Sequence, residues 1–274
     1  MASSKSAKKA RSVPCVLAIG GLDPGGGAGV LADARAIAHA DAFCCAAVAV
    51  LTVQSTSGLR SVRPVDHEEL KAAANEVVKH QDVRAIKIGA LGSPENVRVV
   101  ADLLAIHRDL PAIVDTVMIP TRGRGRLLEE RAVKDLRNRL LPRATLVTVN
   151  APEAEVLTGK RITQIDEAQN ALDALLRDLG SRAVLLKGGH IVGDEAIDLF
   201  ASREKTVELT AKRLKLPPVH GGGCALASLI AGRMASRDIA PRDVLDAVRW
   251  AKKAHHQALA STANVGGDMR VLYA

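Results

Sequence analysis

Aromatic side chains are almost absent from this chain, which has one Trp, one Tyr and two Phe among 274 residues. That scarcity argues against a base-stacking nucleic-acid surface, although a net charge of +8 and a pI near 9.5 would otherwise invite one. The Lys and Arg residues are scattered along the chain, so a basic helix surface or a pocket for phosphorylated ligands accounts for the charge without a nucleic-acid partner. No apolar run reaches the ~20 residues of a membrane span, and Met1 to Ser12 lacks the apolar segment of a signal peptide. Cysteine is sparse as well: Cys15, Cys44, Cys45 and Cys224 have no CxxC spacing, so neither a zinc site nor a disulfide framework is indicated. A reducing cytoplasm is the expected location. The only Gly-Lys dipeptide, Gly159-Lys160, is followed by Arg161 and has no upstream glycine, which excludes a Walker A loop.

Hydrophobic residues make up 47% of the chain, enough for an ordinary globular core. Residues before Val13 read as a disordered polar tail, and 13–274 as a single domain. Continuously apolar runs are expected as strands at Val13 to Ile19, Cys44 to Val53, Ala85 to Ile88, Ile113 to Val117, Thr145 to Val149 and Val184 to Lys187. Between them lie helical patterns over Gly29 to Ala40, Asp66 to His80, Ser93 to His107, Glu129 to Leu141, Glu167 to Leu179, Cys224 to Ala235 and Arg242 to Leu259. This alternation predicts a three-layer α/β fold, a doubly wound and mostly parallel sheet with helices on both faces. Ala196 to Ser202 and Thr206 to Lys212, separated by Arg203, Glu204 and Lys205, predict an antiparallel hairpin on the sheet edge.

Four segments have the composition of a site. In Ile19 to Ala36 a strand runs through Gly25, Gly26, Gly27 and Gly29 into a helix; the spacing misses GxGxxG, so a dinucleotide site is not expected, and a tight ligand-free turn competes with an anion loop. Asn150 and Glu153 stand three apart after a strand, a spacing that suits a hydrated Mg²⁺ but by itself favours a helix capping box. Lys187 ends the strand of Val184 to His190, at the edge of the sheet where α/β proteins collect ligands; a solvated lysine is an equal reading. The last is His220-Gly221-Gly222-Gly223-Cys224. Leu226, Leu229, Ile230 and Met234 form one helical face, which starts the helix near Cys224 and gathers the N–H groups of Gly222, Gly223 and Cys224 at its positive end. Such a nest would stabilise a developing phosphoryl charge and lower the Cys224 pKa from its usual ~8.5.

In this order the segments resemble the hydroxymethylpyrimidine and phosphomethylpyrimidine kinases of thiamine biosynthesis, within the ribokinase superfamily. The resemblance runs from about Val16 to Arg233. It rests on Gly21 to Asp33 against "GxDPSGGAGIQAD", Thr52 to Thr56 against "TAQNT", Lys87 to Leu91 against "KIGML", Asp115 to Met118 against "DPVM", Thr148 to Gly159 against "TPNxxEAxxLTG", Lys187 to His190 against "KGGH", and His220 to Ala231 against "HGTGCTLSAAIA". The resemblance implies ATP and Mg²⁺ as cofactors. It implies that Gln54, with Gly21, Asp23, Ala90 and Val117, receives the pyrimidine, and that Asn150 and Glu153 position Mg²⁺ through its waters. It implies that Lys187 and Asn150 meet ATP, that Gly221, Gly222 and Gly223 form the anion hole, and that Cys224 is the base. It also implies a homodimer.

The chain departs from the pattern at the site. Leu22, Gly25, Leu31, Ala90, Thr116 and Val149 stand where the pattern has other residues, and Gly222 and Ala225 replace threonines. Pro120 to Arg126 replaces "SGDPLL". Leu22, Leu31 and Ala90 are expected to reshape the pocket. Phosphorylation of the hydroxymethylpyrimidine and of its monophosphate is the leading expectation; a pyridoxal or other hydroxymethyl-heterocycle kinase, or a pyrimidine sensor with weakened catalysis, are the alternatives.

Overall fold

The structure is a computed structural model that describes residues 12–123, 125–190 and 193–273. The expected polar tail lies, up to residue 11, outside the described residues. Eleven strands and eight helices follow one another among the described residues: β1 (Cys15–Leu22), α1 (Gly29–His39), β2 (Phe43–Ser55), β3 (Gly58–Pro64), α2 (His67–His80), β4 (Val83–Ile88), α3 (Pro94–Ile106), β5 (Ala112–Asp115), α4 (Val133–Asp135), β6 (Leu146–Asn150), α5 (Ala151–Thr158), α6 (Ile165–Leu179), β7 (Ala183–Lys187), β8 (Glu195–Ser202), β9 (Thr206–Lys212), β10 (Val219–His220), α7 (Gly222–Arg237), α8 (Val244–Ala260) and β11 (Arg270–Val271).

Nine strands form one sheet in the order β3-β2-β1-β4-β5-β6-β7-β8-β9. The run from β2 to β7 is parallel, and β8 and β9 form the antiparallel hairpin expected at one edge. The opposite edge is antiparallel too, because β3 turns back on β2. That strand was not expected: Gly58 to Pro64 is half polar, and its alternation is broken by a register shift between Val53 and Gln54 on the partner.

Strand alternation sorts the core into two layers. Leu17, Ile19, Ile86 and Ile88 face α2, α3 and α6, where Leu70, Val97, Leu172 and Leu175 complete a fully covered cluster. Val16, Ala18, Ala85, Ile113 and Leu185 face the other way, onto Leu226, Ile230, Ala247 and Val248 of α7 and α8. Both faces are covered, which is why the strands read as continuous apolar runs. Helix starts follow local rules. Asp66 accepts from the amides of Glu68 and Glu69, and Ser93 Oγ from that of Asn96 with Pro94 at the first helical position. The expected helix from Glu129 to Leu141 is irregular, with α4 flanked by a 3-10 turn at Glu130–Ala132 and a π turn at Leu136–Leu140.

Leu186 is fully buried on β7. Leu186→Ala is expected to cost about 2–5 kcal/mol of unfolding free energy, read from the midpoint of a urea titration at unchanged slope.

Candidate active site

The carboxyl ends of the parallel strands open onto a cavity of about 690 Å³. β1 delivers Gly21, β2 delivers Gln54, and the turns after β4 and β5 deliver Ala90 and Val117, all on the cavity wall. Among the described residues no hydrogen bond engages the Gln54 side chain, which leaves its amide free for a ligand. Asn150, Glu153, Lys187, Gly221, Gly222, Gly223 and Cys224 line the same cavity, so the sequence segments separated by up to 200 residues converge as expected.

Asp23 is the exception. It lies outside the cavity wall and is fully buried, with Oδ2 accepting from the Ala28 amide and bonded to His220 Nε2, each at 2.8 Å, and Oδ1 accepting from the Gly25 amide at 2.8 Å. Burial pushes its pKa up, but His220 and the two amides outweigh that and hold the carboxyl below its ordinary value. Its work is to tie the first glycine turn to β10. Asp23 was expected beside the substrate; the structure places it off the cavity wall with both oxygens engaged in this clamp. Leu22 and Leu31 are also off the cavity wall, Leu31 being 42% exposed on α1, so of the three pocket-shaping departures only Ala90 bears on the cavity.

The two glycine turns pack backbone to backbone. Gly221 has φ 77°, and a Cβ there would lie 2.0 Å from the Gly27 carbonyl oxygen; Gly29 has φ 58° and would place a Cβ 2.1 Å from that of Gly21. Only glycine permits both the conformation and the approach. Gly221 is the N-cap of α7, so the helix begins at Gly222, two residues earlier than expected. The first helical bond runs from the Ala225 amide to the Gly221 carbonyl at 3.0 Å, leaving the amides of Gly222, Gly223 and Cys224 ahead of it as the free first turn. Lys187 reaches into this cradle: a Cβ on Gly223 would sit 3.1 Å from its Nζ. The ammonium is anchored on Asp115 Oδ1 at 2.6 Å, and Thr148 Oγ1 donates to the same oxygen at 2.7 Å.

Beneath the cradle lies a charge cluster that sequence reading did not find. Lys87 Nζ donates to both oxygens of Asp33, at 2.8 and 2.9 Å, and Ser228 Oγ donates to Asp33 Oδ1 at 2.7 Å. Lys87 and Asp33 are 1% and 0% exposed, yet both reach the cavity wall. Burial works against the Lys87 ammonium, but Asp33, Cys224 and Asp115 hold its pKa above the ordinary value. The available signal was a lone lysine in the otherwise apolar Ala85 to Ile88 strand and an aspartate on the buried side of α1.

Of two further groups, one follows the reading its spacing favours and one departs from expectation. Asn150 and Glu153 form the capping box of α5: the Glu153 amide donates to Asn150 Oδ1 at 2.9 Å, and the Asn150 amide donates to Glu153 Oε2 at 3.3 Å. Glu153 accepts further from Thr116 Oγ1 at 3.0 Å and the Met118 amide at 3.2 Å, and burial first of all raises its pKa to about 7. Thr116, one of the departures, thus supplies a hydroxyl that proline lacks. The Cys224 thiol is the second: burial pushes it up to about 12, the Asp115 and Asp33 carboxylates add to this, and Lys87 and Lys187 only partly oppose it. The lowered pKa expected from a helix N-terminus is overturned, because the thiol is desolvated and shares its surroundings with two carboxylates.

The family model described as phosphomethylpyrimidine kinase matches residues 23–271. The chain belongs to this family. A hydroxymethylpyrimidine/phosphomethylpyrimidine kinase of Rhizobium meliloti (strain 1021) is 38% identical over 247 residues, covering 89% of this chain and 90% of the relative. A crystal structure of a phosphomethylpyrimidine kinase from Clostridium difficile 630 aligns with a TM-score of 0.76 at 30% identity, over 90% of this chain and 99% of that one. The pyridoxal kinase of Staphylococcus aureus, solved with AMP-PCP and pyridoxal, has a TM-score of 0.85 at 24% identity, covering 96% and 94%, a likeness of fold. Among the described residues no helix is long and apolar enough to cross a membrane.

In the free protein, Cys224 is expected to react slowly with iodoacetamide at pH 8, since a thiol near 12 is about one part in 10⁴ thiolate there. The rate should rise about tenfold per pH unit as far as the fold survives, followed by mass spectrometry of the Cys224 peptide. Fast alkylation at pH 7 would contradict the burial argument.

Proposed function

We propose that the chain transfers the γ-phosphoryl group of ATP to the primary alcohol of 4-amino-5-hydroxymethyl-2-methylpyrimidine, and then to the resulting monophosphate, in thiamine biosynthesis. The observation that carries this reading is the cradle of three free amides at Gly222, Gly223 and Cys224 with the Lys187 ammonium against it, opening into the cavity that holds Gln54. Amides and an ammonium fixed before the reaction stabilise charge without reorganising, which is the main demand of phosphoryl transfer. Family membership supports the pyrimidine as substrate, and the free Gln54 amide suits a ring nitrogen and exocyclic amine.

The donor set fits a phosphate chain, since Asp115, the carboxylate bonded to Lys187 among the described residues, is already neutralised by it. Among the described residues no three His, Cys, Asp or Glu are grouped to hold a metal. That suits Mg²⁺ carried on phosphate oxygens, with Asn150 and Glu153 holding its waters; Mg²⁺ would neutralise the phosphates and orient them. Lys187 and the three amides bind and align the phosphoryl group. Cys224, third residue of α7, faces the same space, and in its minor thiolate form it takes the hydroxyl proton and becomes the thiol. The alcohol gives up its proton late in a loose transition state, so more of the rate enhancement falls to the cradle than to a thiol this strongly protonated. We further propose a homodimer, as the resemblance implies, and no nucleic-acid partner. Surface arginines support the latter: Arg84 is paired with Asp82 at 2.7 Å and Arg98 with Asp135 at 2.8 Å.

Turnover of the hydroxymethylpyrimidine with ATP and Mg²⁺, with product counted as mono- or diphosphate, tests the reading directly. The pyrimidine is expected to be preferred to pyridoxal; the reverse preference, or pyrimidine binding without transfer, would reject it. Cys224→Ala is expected to lower kcat by about 10²-fold, the lower end of a general base contribution, with pyrimidine affinity kept within a few-fold. Unchanged kcat would remove the base role.

A further inference from the structure

The cavity wall contributed by α8 carries a histidine that none of these steps uses. His255 lines the cavity, and among the described residues its Nε2 is buried and makes no hydrogen bond of good geometry, the Gly222 backbone being the polar group beside the ring. A buried polar atom left without a good bond in this way calls for a reason. Its neighbour supplies one: a Cβ built on Gly222, the first residue of α7, would lie 3.7 Å from Nε2. The ring nitrogen therefore stands one side-chain length from the first residue of the phosphate cradle.

The ring is neutral. Burial pushes its pKa down to about 4, with the Asp198 carboxylate and the Gly222 backbone acting the other way and Lys252 and Lys187 adding to burial. A neutral imidazole carries one N–H, so Nε2 is able to donate without adding a cation beside Lys187. The ring is also held in place. Lys252, one turn earlier on α8, is fastened to Asp198 Oδ2 at 2.7 Å and to the Ala196 carbonyl at 3.1 Å, while Asp198 Oδ1 accepts the Gly188 amide at 2.8 Å. These bonds pin α8 to β8 and to the turn after β7, the strand that ends in Lys187.

We propose that His255 is a further donor of the phosphate cradle, presenting Nε2–H to an oxygen of the transferring phosphoryl group through the space that glycine at 222 leaves open. This deepens the kinase reading and rests on it. A Cβ at 222 would already touch the ring at van der Waals distance, so a longer side chain there would compete with Nε2 for the space between them. The glycine that looked in sequence like the loss of a phosphate-touching hydroxyl makes room for a donor from another helix.

The test compares the wild-type chain with His255→Ala, His255→Gln, Gly222→Thr and the double variant Gly222→Thr with His255→Ala, each checked for folding by thermal unfolding. Two readouts are taken: steady-state phosphorylation of the pyrimidine, and binding of inorganic pyrophosphate by calorimetry with the His255 Nε2 resonance followed by NMR. His255→Ala is expected to lower kcat by about 10²-fold, as for loss of one oxyanion-hole donor, with the KM for pyrimidine changed less than about threefold. His255→Gln, which keeps an N–H, recovers part of this. Gly222→Thr alone is expected to be impaired by collision with the ring, and the double variant to exceed either single variant. Pyrophosphate should move the Nε2 resonance, and His255→Ala should weaken its binding by about tenfold or more. A kcat within twofold of wild type for His255→Ala, or an Nε2 resonance indifferent to pyrophosphate, would overturn the proposal while leaving the kinase reading in place. Absence of turnover in the wild-type chain would end the kinase reading, and the pyrophosphate arm would still decide the role of His255.

Discussion

An ammonium taken out of water has to be paired, since the desolvation penalty is several kcal/mol for each ion and the mutual attraction offsets it only where the geometry is good. Lys87 meets that condition with both oxygens of Asp33, and Ser228 Oγ completes the shell of the carboxylate. The three residues belong to β4, α1 and α7, so one buried pair fixes the central sheet, the helix after the first glycine turn and the helix after the second in a single relative position. Ser228 lies one turn below Cys224 on α7, and whatever sets the height of Ser228 against the sheet sets the height of the cradle.

The glycine turns complete what the ion pair begins. With α1 and α7 held together, the turn before each passes the other closely: a Cβ on Gly221 would strike the Gly27 carbonyl, and one on Gly27 would strike the His220 ring. Asp23 and His220 close the same junction with a buried bond at 2.8 Å. The cost of ordering so much glycine is met by this packing, and the result is a first helical turn whose three amides face a cavity instead of a neighbouring element. Burial first, and the nearby Asp115 and Asp33 carboxylates with it, keep the thiol of Cys224 protonated against the partial opposition of Lys87 and Lys187.

Much of this organisation was legible in the chain. The apolar runs of β1, β4, β5, β6 and β7 and the amphipathic helices between them gave a doubly wound sheet, and the Arg203-Glu204-Lys205 turn located the β8–β9 hairpin, because both signals come from burial periodicity and turn chemistry that act over a few residues. β3 was not foreseen, and of α5 only the cap at Asn150 and Glu153 was. β3 is a half-polar edge strand with a register shift, and α5 is a short helix that starts within the Asn150–Glu153 segment, where capping and metal binding use the same two residue types. Within the site, Gln54, Lys187 and the glycine cradle could be named from local motifs. Lys87, Asp33 and Asp115 could not, since their meaning comes from partners tens to hundreds of residues away, as Lys87 to Asp33, Lys187 to Asp115 and Ser228 to Asp33 show.

The sequence by itself determined the layer architecture, the positions of the helix starts at Asp66 and Ser93, and the presence of an anion-binding turn before a helix, because each depends on hydrophobic period and on backbone groups that glycine and capping residues control locally. The tertiary structure alone decided how those pieces behave chemically. It set Asp23 as a clamp between the first glycine turn and β10, and raised the Cys224 thiol where a helix N-terminus in water would have lowered it. The reason is the same in each case: a pKa or a free hydrogen bond is set by desolvation and by the charges that folding brings within a few ångströms, and neither quantity exists until distant segments meet.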